Sequence, residues 1–220
     1  MSNSVLQLLW SGTLETLYMT LVSSAIAYVF GIPLGVLVYV SDSGGICQNR
    51  VIHTITGTVI NIVRSVPFLI LLVAILPFTR LVVGTTIGSA ATIVPLVVAA
   101  IPFVARMVES SLKEVHAGVI EAAKAMGSSP LQIVYKVILP EAKPSLLVGS
   151  TIAVSTILGY SAMAGFVGGG GLGAIAINYG YYRYQSETML LTLALLVIIV
   201  QVFQETGIWL VRKIDKREQN

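Results

Sequence analysis

Five stretches of this sequence are apolar and long enough to cross a bilayer, which rules out most folds before any motif is read. A hydrocarbon core takes ~20 mostly apolar residues per helix. Residues 16–40 carry no charged side chain, and residues 59–77, 86–105, 144–165 and 188–209 repeat the pattern with few interruptions. Hydrophobic residues make up 55% of the 220 and charged residues 10%, against about a quarter charged in soluble domains. The expected fold class is all-α: one polytopic transmembrane domain of five membrane helices over residues 1–220, with a charged loop at 106–143. Gly31, Pro33 and Gly35 fall inside the first span, where packed neighbours tolerate a local kink.

The net charge of +3 is no nucleic-acid footprint, because the basic residues sit at span edges rather than along one stripe. The single cysteine, Cys47, excludes an internal disulfide and a multi-cysteine metal site. No Lys or Arg precedes Arg50, so the basic region of a cleaved secretory signal is missing and the first span is expected to stay in the mature protein.

Orientation follows from the basic residues. Arg50, Arg106, Lys113, Lys124, Lys136, Lys143, Arg212, Lys213, Lys216 and Arg217 flank one side, and only Arg80 and Arg183 the other. The first side is expected to be cytoplasmic, which puts the N-terminus outside and the C-terminus inside. Arg64 is expected near the cytoplasmic start of the second span. A central membrane arginine costs at least ~2.5 kcal/mol, so snorkelling to the interface is favoured over a pore-lining role, and Pro67 nearby supports that. Glu205 is read as marking the cytoplasmic end of the fifth span.

The loop at 106–143 has helical punctuation. Val115, Val119, Ala122, Ala123 and Met126 recur near a period of 3.6, and Gly127 is placed to stop that helix in the left-handed conformation. Ser129, Pro130 and Gln132 form an N-cap, a first-turn proline and a capping box. Leu131, Val134, Val137 and Ile138 give the second helix an apolar face, which Pro140 is expected to end. Patterning alone allows either an amphipathic hairpin on the lipid headgroups or a handle for another protein, and the small Ala122-Ala123 pair tips the balance toward the handle.

These residues also carry a resemblance. Glu121-Ala122-Ala123, Gly127 and Val137-Ile138-Leu139-Pro140 resemble the EAA loop of permease subunits of ABC importers, with Val137 where the family usually has Ile. The likeness extends through Asn61–Phe68, 77–80, 102–106, 159–163, 170–173 and 179–181, which are similar to methionine importer permeases. The resemblance implies a homodimer in the bacterial cytoplasmic (inner) membrane, in contact with its lipid, that forms the translocation path for methionine. It implies two cytoplasmic ATP-binding subunits that hold ATP and Mg, while this chain binds no cofactor and is no enzyme itself. An external or lipid-anchored substrate-binding protein would deliver the amino acid. Glu121, Ala122, Ala123, Met126, Gly127, Leu139 and Pro140 would then couple the permease to the ATPase, with Glu121 as a charge contact and the alanines packing closely. Gly170, Gly171, Gly173 and Tyr179 would face the binding protein. Another small amino acid or metabolite is the alternative cargo. A self-sufficient secondary transporter is disfavoured, since matching halves and buried charge are scarce.

Other constellations are weaker. Gly168–Gly173 formally satisfies a dinucleotide-binding pattern but lacks the βαβ context and the following acid, so a closely packed or flexible turn is expected instead. His53 and His116 have no metal-ligand partners in sequence and are expected to be solvated. Tyr179, Tyr181, Tyr182 and Tyr184 read as an interfacial aromatic belt, with stacking on a docking partner as the lesser reading. Tyr160, Ser161 and Met163 are pore or gate candidates. A flexible thioether beside small residues can plug a narrow path or simply fill space.

Overall fold

The structure, a computed structural model, describes residues 3–214; Lys216 and Arg217 of the expected basic tail lie outside the described residues. Helix α1 (Asn3–Ser41) runs 39 residues, or about 58 Å, so it begins well before the predicted first span. It is followed by α2 (Arg50–Ser65), α3 (Phe68–Ala74), α4 (Leu76–Val83) and the long α5 (Ser89–Lys113). The charged loop holds α6 (Ala117–Ala125), α7 (Pro130–Ile133), a π turn (Val134–Ile138) and α8 (Leu139–Glu141). Next come α9 (Lys143–Ala164), a 3-10 turn (Gly165–Val167), α10 (Gly171–Ile175) with a π turn (Ala176–Tyr181), and α11 (Ser186–Ile214).

The centre of the bundle is the α1–α5 pair, and small residues on α1 allow it. A Cβ on Gly31 would lie 2.6 Å from Val104 Cγ1, and one on Gly35 2.5 Å from the Ala105 carbonyl oxygen. Two glycines one turn apart let two membrane helices approach backbone to backbone. Helix α1 continues through Pro33 without interruption, and these glycines set its close crossing with α5. Met19, Ala27, Leu96, Ala100, Val104, Val108 and Leu112 fill the core along this seam. The same cluster continues through Val115, Ala123, Ile133, Ile138 and Ala142, so the charged loop is packed onto the end of the bundle.

The predicted second span takes a different form. Helices α2 and α3 meet at a 100° bend, because Pro67 cannot donate the next helical hydrogen bond and Val66 is extended. His53 Nδ1 lies 3.1 Å from the Val38 carbonyl oxygen, and Ile60 joins Val38 and Ala105 in one small buried cluster, so α2 packs where α1 and α5 meet. Arg64 lies at the C-terminal end of α2 with its guanidinium 6.0 Å from the Phe103 ring centre.

Pro140 does not end its helix. The Leu139 N–H reaches back to the Val134 carbonyl, and this widened π turn lets the chain absorb a proline whose ring would clash one turn back. Pro140 then opens α8, which leads into α9.

Candidate functional site

Local chemistry builds the segment from 116 to 141. His116 is the N-cap of α6, its Nδ1 accepting from the Gly118 N–H at 3.1 Å; the residue is exposed, as expected, and also serves as a helix cap. The helix ends on Gly127, φ +76°. The Gly127 N–H donates to the Lys124 carbonyl and the Ser128 N–H to the Ala123 carbonyl, at 2.9 and 3.1 Å, the paired closure of a glycine-terminated helix. Ser129 and Gln132 then exchange the reciprocal capping-box bonds, at 2.9 and 3.4 Å, with Pro130 at the first turn.

Packing decides which residues of this segment face outward. Ala123 is 1% exposed and belongs to the core with Ile133 and Ile138, so it cannot touch another protein, contrary to the sequence expectation for the alanine pair. Ala122 and Glu121 are exposed. Met126 at 79% and Leu131 at 80% exposure, with Tyr135, form an apolar surface on the outer side. The periodic face read from sequence is thus split: Val115 and Ala123 point in, Val119 and Met126 point out. Leu139 is half-buried against the core and Pro140 is exposed.

Beside this segment lies an ion cluster that sequence reasoning missed. Glu109 is 3% exposed and divides its carboxylate between Arg106 and Lys113 Nζ, the latter at 2.8 Å. Lys113 Nζ also lies 3.1 Å from Asp42 Oδ2, and Asp42 Oδ1 lies 3.5 Å from His53 Nε2. The hydrogen bond from Lys113 holds the Asp42 carboxyl below its ordinary range, helped by the Ser43 N–H and opposed by partial burial. The spacing of Arg106, Glu109 and Lys113 on one helical face was legible in sequence, while the link to Asp42 was not.

At the opposite end of the bundle, the glycine run is a packing device. A Cβ on Gly171 would meet Thr16 Oγ1 at 2.5 Å, one on Gly173 the Ala162 carbonyl oxygen at 2.2 Å, and one on Gly170 Ser89 Oγ at 2.1 Å. Gly171 and Gly173 are buried, so neither is displayed to a partner. Glu15 Oε2 accepts from the Gly171 N–H at 2.7 Å and from the Ser89 hydroxyl at 2.9 Å, while Thr16 Oγ1 accepts from the Leu172 N–H at 2.8 Å. Helices α1, α5 and α10 meet at this one carboxylate. Tyr179 sits under the Arg183 guanidinium, 4.4 Å from its ring centre, and Tyr181, Tyr182 and Tyr184 are exposed.

Of the gate candidates, Ser161 is buried and donates to the Leu158 carbonyl at 2.7 Å. Tyr160 stacks on Phe68. Met163, 45% exposed, shares an open face of α9 with Val148 and Ile152. Among the described residues no cluster of His, Cys, Asp and Glu could hold a metal ion.

The sequence profile of the binding-protein-dependent transport system inner membrane components matches residues 31–219. The chain belongs to this family. As an inner membrane component it resides in the bacterial inner membrane, consistent with the four helices among the described residues that are long and apolar enough to cross, and a fifth if the bent pair counts as one span. It is 51% identical over 210 residues to the probable D-methionine transport system permease protein MetI of Vibrio cholerae, covering 96% of this chain and 93% of that one. It is 52% identical over 165 residues to the D-methionine transport system permease protein MetI of Escherichia coli K12, covering 75% and 76%. A chain from a structure described as inward facing conformations of the MetNI methionine ABC transporter superposes with a TM-score of 0.97 at 50% identity, covering 98% of this chain and 100% of that one. A crystal structure of an amino acid ABC transporter with histidines shares the fold, with a TM-score of 0.78 at 20% identity over 94% of each chain.

Proposed function

We propose that this chain is the permease subunit of an ATP-driven importer of methionine, two copies of which enclose the translocation path. The observation that carries this reading is the near full-length likeness to a chain of the MetNI methionine ABC transporter, at half-identical sequence. The permease binds no nucleotide; ATP and Mg belong to two separate cytoplasmic ATP-binding subunits. The basic ends of α2, α5 and α9 face the cytoplasm, in line with the distribution of Lys and Arg, so the N-terminus lies outside. Five membrane passages per chain are expected, with the bent α2–α3 pair and α4 as the second and the 106–143 loop inside.

The loop supplies the coupling surface. Glu121, Ala122, Met126 and Leu131 form an exposed, partly apolar face suited to a groove on the ATPase. The buried side of the same segment is continuous with the bundle core, so a push on α6 reaches the spans rather than bending a loose loop. Ala123 and Gly127 act from behind that face, one by packing and the other by closing the helix. Leu139 and Pro140 carry the segment into α9. ATP binding draws the two ATPases together, and the spans rock between inward- and outward-facing states. An external or lipid-anchored binding protein delivers the amino acid to the outer mouth around Tyr179 and Tyr181. The glycines at 170, 171 and 173 shape that mouth from within.

Met163, with Tyr160 and Ser161 beside it, lies on the α9 face left open in one copy, where a second copy would bring the path together. A gate formed there predicts raised substrate leak in vesicles without ATP for Met163→Ala, and an unchanged leak counts against it. The main test is reconstitution with the ATPase and binding protein. Methionine on its binding protein is expected to stimulate ATP hydrolysis; stimulation by another amino acid alone would reassign the cargo. Gly127→Pro or Met126→Glu is expected to leave the protein membrane-inserted and to lose the co-purifying ATPase. Wild-type transport by either variant would sink the coupling role.

A further inference from the structure

The ion cluster behind α6 has no place in the coupling face itself. It joins three elements through side chains alone: Arg106, Glu109 and Lys113 on α5, Asp42 in the α1–α2 connection, and His53 on α2. Lys113 is the last residue of α5, and His116, the N-cap of α6, follows three positions later. Asp42 and Lys113 form one wall of a cleft whose other wall is Ala117, Glu121 and Lys124 of α6. Exposed ion pairs contribute little, but Glu109 is buried and takes one cation at each oxygen. Removing either would leave a buried charge poorly compensated, which is strongly unfavourable. The Lys113 ammonium is thus held between Glu109 and Asp42.

Resting on the coupling reading above, we propose that the Glu109–Lys113–Asp42 bridge is a positioning device that passes the displacement of α6 to α1 and α2. Helix α6 itself reaches the end of α5 through the short turn after Lys113 and through the core packing of Val115 and Ala123. Without the bridge, the end of α5 that receives this motion can shift against the α1–α2 connection. With the bridge, the end of α5, the α1–α2 connection and α2 move together. The α1–α5 glycine crossing then carries the motion along the membrane helices.

The test uses the complete reconstituted complex of permease, ATPase and binding protein in liposomes. Asp42→Asn removes the anion at a half-exposed position and is expected to keep ATPase binding and basal ATP hydrolysis. Methionine imported per ATP is expected to fall roughly fivefold or more, the low end of a coupling free energy between sites. In a Cys47→Ser background, Asp42→Cys with Lys113→Cys is expected to be uncoupled when reduced. It should regain transport once a short bifunctional thiol reagent spans the pair, and thermal unfolding of the reduced and spanned forms, read alongside, separates this from a gain in stability alone. Import per ATP at the wild-type ratio in Asp42→Asn, or a spanned pair as uncoupled as the reduced one, overturns the proposal. A wild-type complex that hydrolyses ATP but imports no methionine defeats the proposed function instead.

Discussion

Phe68 lies flat against Tyr160, with ring centres 4.5 Å apart and planes 4° from parallel. The pair joins α3, just past the bend at Pro67, to the C-terminal part of α9. The backbone is broken at the bend, so this stack fixes where the chain goes next. Tyr160→Ala is expected to lose ~0.5–1.5 kcal/mol from the aromatic contact in addition to its packing. Tyr160→Phe keeps the stack and should unfold like the wild type. Denaturation of the purified permease in mixed micelles reads the difference, and equal midpoints for Ala and Phe would remove the stack from the account.

Gly35 and Gly57 make a controlled comparison. A Cβ at Gly35 would meet the Ala105 carbonyl oxygen at 2.5 Å, whereas one at Gly57 meets nothing within 4 Å. Gly35→Ala should destabilise by about 1–3 kcal/mol through overpacking. Gly57→Ala, in a helix with room, should be neutral or stabilise by up to ~1 kcal/mol. Thermal unfolding in detergent checks the order, and the reverse order would mean that α1 and α5 are not in backbone contact.

Glu15 is the shared acceptor for the Gly171 N–H and the Ser89 hydroxyl. Glu15→Ala leaves both donors without that partner, at a cost of ~1–3 kcal/mol for an unsatisfied buried group, while Glu15→Gln keeps one acceptor oxygen and should cost less. Amide exchange at Gly171 is expected to speed up in the alanine variant. Exchange as slow as in the wild type would show another acceptor for that N–H.

Asp42 lies just beyond α1, and its carboxyl is held below the ordinary range chiefly by the hydrogen bond from Lys113. A carboxyl depressed in the folded state contributes stability above its unfolded value, about 3.9, and loses that contribution as pH falls through the folded value. The stability difference between wild type and Asp42→Asn should therefore be full at neutral pH and vanish in strong acid. A difference that grows on acidification would reverse the assignment.

Much of the 116–141 segment was legible because its determinants are local. Gly127 as a helix stop and Ser129, Pro130 and Gln132 as a helix start depend on residues within one turn of each other, and the structure contains both. The EAA pattern reads the same way. Ala123 was misread because periodicity gives a face but not its direction, and tertiary packing turned that residue inward. His116 was missed because histidine is an uncommon N-cap. The 100° bend between α2 and α3 was hidden from hydropathy, which registers apolar length and not the angle at which one helix meets another.

The sequence by itself determined a helical membrane protein, its apolar segments, the capped hinge at Gly127 and the family to which it belongs. Each of these is written in composition or in spacings of a few residues. Only the tertiary structure decided that Gly171 lies against Thr16, that Glu15 ties three helices together, and that Lys113 is shared between Glu109 and Asp42. These contacts join residues far apart in the chain. They depend on how closely α1 approaches α5, and that distance is set by many small side chains acting together.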